Sequence, residues 1–240
     1  MSSRPSAPET VRSFKKSAFR EYLESIVVAV ILALFIRTFA VQAFKIPTGS
    51  MEPNLMIGDH LLVNKLVYSP SFGPLENTLF GKRPIERGHV VVFKFPEDPT
   101  RDFIKRVIGL PGETIEIRNK QVYVDGKPID EPYAHFIDAP LRPDDPEFTH
   151  GGDEIRDKWG PQTVPEGQLL VLGDNRDNSR DSRFWGFLPI DQVKGRALLV
   201  YWSYEATREE YHRTGIVEWV RDTLSAFGRT RWKRFFHVIR

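Results

Sequence analysis

The chain has no cysteine, which excludes disulfides, thiolate catalysis and cysteine-ligated zinc together. The compartment stays open, since a cysteine-free chain is at home on either side of a bacterial membrane. Neither sign of charge dominates: 34 basic against 32 acidic side chains leave a formal charge of +2, so no global field recommends nucleic acid as a partner. The six histidines, His60, His89, His135, His150, His212 and His237, show no H-E-x-x-H spacing, and no glycine-rich stretch matches a phosphate loop. A metal or nucleotide enzyme is therefore not expected, and no cofactor is implied. Long apolar runs are also scarce; IVVAVILALFI, Ile26 to Ile36, is too short by itself to cross a bilayer.

What is present is an ordinary globular composition, 40% hydrophobic and 28% charged over 240 residues, enough for one substantial core or two small ones. Residues 1–20 are basic and bear Ser and Pro. They lead into the apolar run, flanked by Glu24 and Arg37. These two lie about 20 Å apart on a helix, so both can extend their charged ends toward the headgroups. A span from about Tyr22 to Phe39, within an anchor segment 21–43, is then expected. Three readings compete here: a permanent anchor, a cleavable signal peptide ending at Val41-Gln42-Ala43, and a buried core helix. On either of the first two, the basic flank predicts a cytoplasmic N-terminus and an exported body.

Residues 44–212 read as mainly β. Leu61–Tyr68, His89–Phe95, Asp102–Leu110, Thr114–Arg118, Gln121–Gly126, Gln168–Gly173 and Ala197–Tyr204 are short and rich in β-branched and aromatic residues, each bounded by Gly, Pro, Asn or Asp. Asn119-Lys120 predicts a hairpin turn and Asp125-Gly126 the next turn. Pro- and Asp-laden residues 128–165 read as a surface excursion within one domain. In the tail, 213–240, Trp232, Phe235, Phe236 and Ile239 fall on one face of a helix with Arg and Lys opposite. That is either an interfacial helix on an anionic membrane or a terminal helix docked on its own domain.

Three segments carry possible chemistry. KIPTGSMEPNLMIGDHLLV, Lys45 to Val63, presents Ser50 after Gly49 in a turn stiffened by Pro47 and Pro53; serine in such a turn is usually only a turn residue. DFIKRVIGLPGE, Asp102 to Glu113, puts Lys105 on the same strand face as Phe103 and Val107. Apolar surroundings would lower its affinity for a proton, as a base requires: at a pKa of about 10.4 roughly one lysine in 2,500 is neutral at pH 7. The plainer reading is a lysine snorkelling at a strand edge. GDNRDNSRDSRFWGFLP, Gly173 to Pro189, crowds Asp174, Arg176, Asp177, Arg180, Asp181 and Arg183 together, a hydrogen-bonded loop that would rigidify its neighbours.

Taken in this order after an N-terminal apolar stretch, GSMEP, RGHVVVFKFPEDPTRDFIKRVIGLPGE and GDNRDNSRDSRFWGF resemble the nucleophile, lysine and C-terminal boxes of bacterial type I signal peptidases. The resemblance covers about Phe39 to Tyr204. It implies a membrane-anchored Ser-Lys endopeptidase with a body of coiled antiparallel sheets, acting on the signal peptides of exported preproteins at the outer face of the plasma membrane. On it, Ser50 is the nucleophile and Lys105 the general base. Thr48 and the Ser50 N–H form the oxyanion hole, Ser179 orients the lysine amine, and Asp181 with Arg183 is a supporting ion pair. Phe44, Ile46, Met51, Leu55, Val92, Phe103 and Ile104 match positions lining shallow apolar pockets that select A-x-A-like sites, with substrate added as an extended strand. Where the eukaryotic and archaeal branch uses histidine, this chain has Lys105. Two other classes compete: an inert membrane-tethered module that binds extended peptides, and a soluble exported protein whose leader is removed after Ala43.

Overall fold

The structure, a computed structural model, describes residues 18–66, 68, 84–137, 156–206 and 228–239. Most of the basic N-terminus, the centre of the 128–165 excursion and the first part of the tail lie outside the described residues. The chain divides into two units, Met1–Thr38 and Phe39–Arg240.

In the first unit, α1 (Ala18–Phe35) contains no Gly or Pro, and its Ala, Leu and Glu residues favour helix, offsetting the β-branched Ile and Val at its centre. No residue of it is buried, and its apolar side chains are exposed all round. Among the described residues no helix is long and apolar enough to cross a membrane. Arg20, Glu21 and Glu24 occupy the first two turns, and the helix stops at Phe35, followed by a π-helical turn over Ile36–Ala40. The expected anchor 21–43 is corrected at its C-terminal end: Val41–Lys45 is strand β1, paired with β2 (Asp59–Asn64) from Val41↔Asn64 to Lys45↔His60. Backbone pairing in the sheet claims residues 41–43 of that segment, while the expected span, about Tyr22 to Phe39, ends before β1.

The second unit is mainly β. The larger sheet runs β1-β2-β11-β3-β4-β9-β10, with β12 also on β11; the strands are β3 (Val90–Phe95), β4 (Asp98–Gly109), β9 (Gln168–Leu172), β10 (Leu188–Pro189), β11 (Val193–Ser203) and β12 (His237–Val238). All its pairings are antiparallel, and register shifts interrupt four of them, in β11 against β2 and β3 and in β4 against β3 and β9. Such irregularities bend and twist a sheet, which gives the coiled body. A smaller sheet has the order β7-β6-β5-β8, from β5 (Thr114–Arg118), β6 (Gln121–Val124), β7 (Lys127–Pro128) and β8 (Lys158–Thr163). Asn119 (φ 48°) and Lys120 (φ 69°) make the predicted β5–β6 turn, and Asp125-Gly126 the next.

Alternation on these strands builds the interior. Leu61 and Val63 of β2, Val90 and Val92 of β3 and Val200 of β11 join Met51 and Leu55 in one cluster; Val91, Phe93, Val107, Leu169 and Val171 form a second. A third, around Ile108, Ile115, Val122, Leu170 and Leu172, ties the small sheet to the large one.

The tail departs from the expected helix. A 3₁₀ turn at Trp232–Arg234 is followed by β12, with Leu199↔Val238 and Val200↔His237 pairing on β11. Ile239 enters the first core cluster, whereas Trp232 and Phe236 are exposed. Ile239 thus parts from the three aromatics, whose rings still meet, Trp232 with Phe235 at 5.3 Å and Phe235 with Phe236 at 6.3 Å. Open hydrogen-bonding positions along β11 compete with a local helix, and Ile239 N–H donates to Leu198 O at 2.9 Å.

Candidate active site

The loop between β1 and β2 is closed at its base by Ile46 N–H to Asp59 O (2.9 Å) and Gly58 N–H to Ile46 O (3.1 Å). Inside it, Glu52 N–H donates to Gly49 O and Leu55 N–H to Met51 O, while Met51 and Leu55 plug the core below. With its neighbours pinned in this way, Ser50 is held at 2% exposure. Lys105 sits inside β4 opposite Val91 of β3, at 1% exposure, with its amine 5.4 Å from the Phe103 ring centre. Its Nζ lies 2.7 Å from Ser50 Oγ, within hydrogen-bond distance. Residues 55 positions apart thus meet in a buried pair.

The loop after β9 clamps this pair. Asn175 N–H donates to Ser50 O (3.1 Å) and Asn175 Nδ2 to Gly49 O (3.2 Å). Asn175 was not singled out from the sequence; its place amid charged residues gave it no separate signal. Gly173 backs onto both loops: a Cβ there would lie 2.1 Å from Ser179 Oγ and 2.6 Å from Ser50 O. Ser179 is buried, but its Oγ makes no hydrogen bond, so the expected bond to the lysine amine is not formed in this state.

Asp181 caps the short helix α2 (Ser182–Trp185). Arg183 grips its carboxylate in two bonds of 2.8 and 2.9 Å, and Gly173 N–H donates to it at 3.0 Å. Burial alone pushes the Asp181 carboxyl up, but the Arg183 charge and hydrogen bonds and the Gly173 N–H hold it below the usual carboxylate range. The other charges of this loop find partners elsewhere. Asp174 takes Arg106 Nε and Nη2 at 2.7 and 2.6 Å and Asn54 Nδ2 at 2.9 Å, and Arg176 pairs with Glu131 at 2.6 and 3.0 Å.

A groove of about 440 Å³ runs between residues 42–47 and 100–104. Phe44, Ile46, Val92, Phe103 and Ile104, five of the seven expected pocket residues, line it, joined by polar Gln42, Lys45, Thr100, Arg101 and Asp102. Met51 and Leu55 do not; both are fully buried in the core cluster beneath Ile46, Val92 and Ile104. Thr48 is half-buried, two residues before Ser50. At the end of β1, Lys45 lies 5.1 Å from the Tyr204 ring centre, and His60 opposite it packs on Tyr201, Trp202 and Tyr204. Burial, then the Lys45 charge, lowers the His60 pKa to about 4 against the opposing pull of Asp59. Neither Ser50 nor Lys105 lines this groove or the two larger cavities, about 740 Å³ beside β5 and β8 and about 680 Å³ against residues 236–239; the groove comes nearest in sequence at Ile104, next to Lys105. Among the described residues no cluster of His, Asp or Glu could hold a metal ion. A buried serine and lysine in contact, near a groove of mixed polar and apolar lining bordered by the edge strand β1, can support nucleophilic chemistry on an extended chain.

Residues 19–202 match the family model described as signal peptidase, peptidase S26. The chain is 40% identical over 193 residues to a probable signal peptidase I-2 of Synechocystis sp., covering 78% of this chain and 75% of that protein. It is 37% identical to the signal peptidase I of Leptolyngbya laminosa (82% and 87% covered) and 33% identical to that of Aquifex aeolicus (77% and 84%).

Proposed function

This chain belongs to the bacterial signal peptidase I family, and from that premise we propose that it is a membrane-bound endopeptidase that removes signal peptides from exported preproteins. It cuts after small residues at A-x-A-type sites with a Ser50–Lys105 dyad. The observation that carries the reading is the buried 2.7 Å contact between Ser50 Oγ and Lys105 Nζ.

Lysine acts as a base only as the neutral amine, and burial disfavours a charged one. The Asp181–Arg183 pair contributes by taking up the nearby carboxylate charge, which would otherwise favour the ammonium form. Ser50 Oγ passes its proton to Lys105 Nζ and bonds to the scissile carbonyl carbon, and the carbonyl oxygen gains the negative charge. The Ser50 N–H and the Thr48 hydroxyl serve as its donors; loss of such a donor typically costs about 10²- to 10³-fold in rate. The tetrahedral centre then breaks its C–N bond as Lys105 returns the proton to the leaving amine. Water then gives a proton to Lys105 Nζ and attacks the acyl carbon, and the C–O bond to Ser50 breaks as Lys105 returns that proton to Ser50 Oγ. Ser179, already against Gly173 and beside Ser50, orients the amine during this cycle.

The groove takes the residues before the cut as an extended strand beside β1, with Phe44, Ile46, Val92, Phe103 and Ile104 limiting the side chains admitted. The exposed apolar surface of α1 supports membrane anchoring, with the N-terminus cytoplasmic and the β body on the outer face. The reading is tested with the detergent-solubilised protein, its Ser50→Ala and Lys105→Ala variants, and a preprotein bearing an A-x-A site, the new N-terminus being read by mass spectrometry. Cleavage after the last Ala by wild type alone is expected; activity surviving in either folded variant overturns the dyad.

A further inference from the structure

The described C-terminal segment, residues 228–239, packs against the loop that presents Ser50. Arg234 Nε and Nη2 bind both oxygens of Asp59 at 3.1 and 2.5 Å, and Nη2 also donates to Asn54 O at 2.8 Å. Three residues earlier, Arg231 Nη1 donates to Ile57 O at 3.0 Å. Asp59 is fully buried and accepts Met56 N–H at 2.8 Å as well, so one carboxylate joins the segment to the loop's own turn. Further along, Ile239 packs in the same cluster as Met51 and Leu55. The segment itself is fixed to β11 by Arg231 N–H to Ser203 O, Ile239 N–H to Leu198 O and the β12 pairing.

We infer that this segment is a strap that positions the nucleophile loop, with Arg234 as its principal positioning residue and Arg231 as the second. On one side of the loop Asn175 holds the carbonyls of Gly49 and Ser50; on the other the strap holds the carbonyls of Asn54 and Ile57. Within the loop, backbone bonds run from Glu52 to Gly49, from Leu55 to Met51, from Gly58 to Ile46 and from Asp59 to Met56. The carbonyls of Asn54 and Ile57 are held by the strap's two arginines, through charge-assisted bonds that are stronger than neutral ones. Arg is required over Lys because its planar fork serves a carboxylate and a carbonyl at once. Neither arginine touches the dyad, so the strap acts through loop geometry. A displacement of about 1 Å at the reacting atoms can cost on the order of 10²-fold in rate.

The inference rests on the proposed role of Ser50, and the test separates the two. Wild type, Arg234→Gln, Arg234→Lys and Arg231→Gln are assayed on a peptide with an A-x-A site, alongside amide hydrogen exchange of each. Arg234→Gln is expected to lower kcat by roughly tenfold or more with KM within about threefold, Arg234→Lys to recover part of the loss, and Arg231→Gln to fall between. Exchange should quicken at the Leu55 and Gly58 amides while β9 stays protected. If Arg234→Gln does not fold, the milder Arg231→Gln carries the same expectation. Unchanged kcat and unchanged loop exchange in a folded variant overturn the strap. Absence of wild-type turnover overturns the catalytic reading instead, and the exchange data then still decide whether the strap holds the loop.

Discussion

Replacing Gly173 by Ala tests how closely the loop after β9 is fitted to the nucleophile. An added methyl would sit 2.1 Å from Ser179 Oγ, 2.4 Å from Ser179 Cβ and 2.6 Å from Ser50 O. Against a floor of 3.0 Å for real contacts, each must yield by 0.4 to 0.9 Å. The surroundings have little room to give, since Asp181 holds Gly173 N–H and Asn175 holds Ser50 O. Overpacking of this kind costs about 1–3 kcal/mol, and each kcal/mol lowers Tm by about 2–4 °C for a chain of this size. The loss of turnover should be larger than that suggests, on the order of 10²-fold, because the shift falls on the backbone of Ser50. The assay pairs thermal unfolding with peptide cleavage, and adds Gly173→Ala with Ser179→Gly. The double variant removes two of the three contacts, so it should regain part of the lost Tm but not the turnover. A Gly173→Ala protein with wild-type Tm and kcat would refute the argument, because the two loops would then have slack that the packing denies.

Two other perturbations have definite expectations. Arg106→Met strips Asp174 of a two-bond partner with both groups essentially unexposed; urea unfolding should show a loss of about 3–5 kcal/mol, and Asp174→Asn in that background should return part of it. His60 has a folded-state pKa near 4, below the 6.5 of a free imidazole. Between these values the unfolded chain binds the extra proton, so its contribution to stability is complete above about pH 6.5 and declines as pH falls toward 4. His60→Gln should flatten that part of the urea-midpoint profile, and an unchanged slope would count against the assignment.

Much of the β body was legible because β3, β5, β6, β9 and the centre of β11 carry β-branched residues between turn formers, and Asn119-Lys120 adopts a left-handed turn of the kind that Asn119 favours. β8, Lys158–Thr163, was not: Gly160 and Pro161 hide it, and it becomes a strand only by its register against β5. β1 was absorbed into the apolar segment, and the tail's helical spacing lost to pairing on β11. The charged loop was recognisable as an ion-pair network, but its partners were not, since Asp174 reaches back to β4 and Arg176 to Glu131. Composition has no term for such long-range pairings. Nor could spacing say that Met51 and Leu55 face the core while Ile46 and Phe103 face the groove, because that depends on how the loop turns over.

The buried arginine–carboxylate pairs also govern how this sequence can drift. Arg106–Asp174, Arg176–Glu131, Arg183–Asp181 and Arg234–Asp59 each place a carboxylate at 7% exposure or less opposite a mostly buried guanidinium. Losing one member leaves the other buried without its opposite charge, at about 3–5 kcal/mol against a typical total stability of about 5–15. Descendants of this chain can therefore exchange such positions only in twos, or pass through a weakened intermediate, whereas the aliphatic positions around them are free to trade Val, Ile and Leu one at a time.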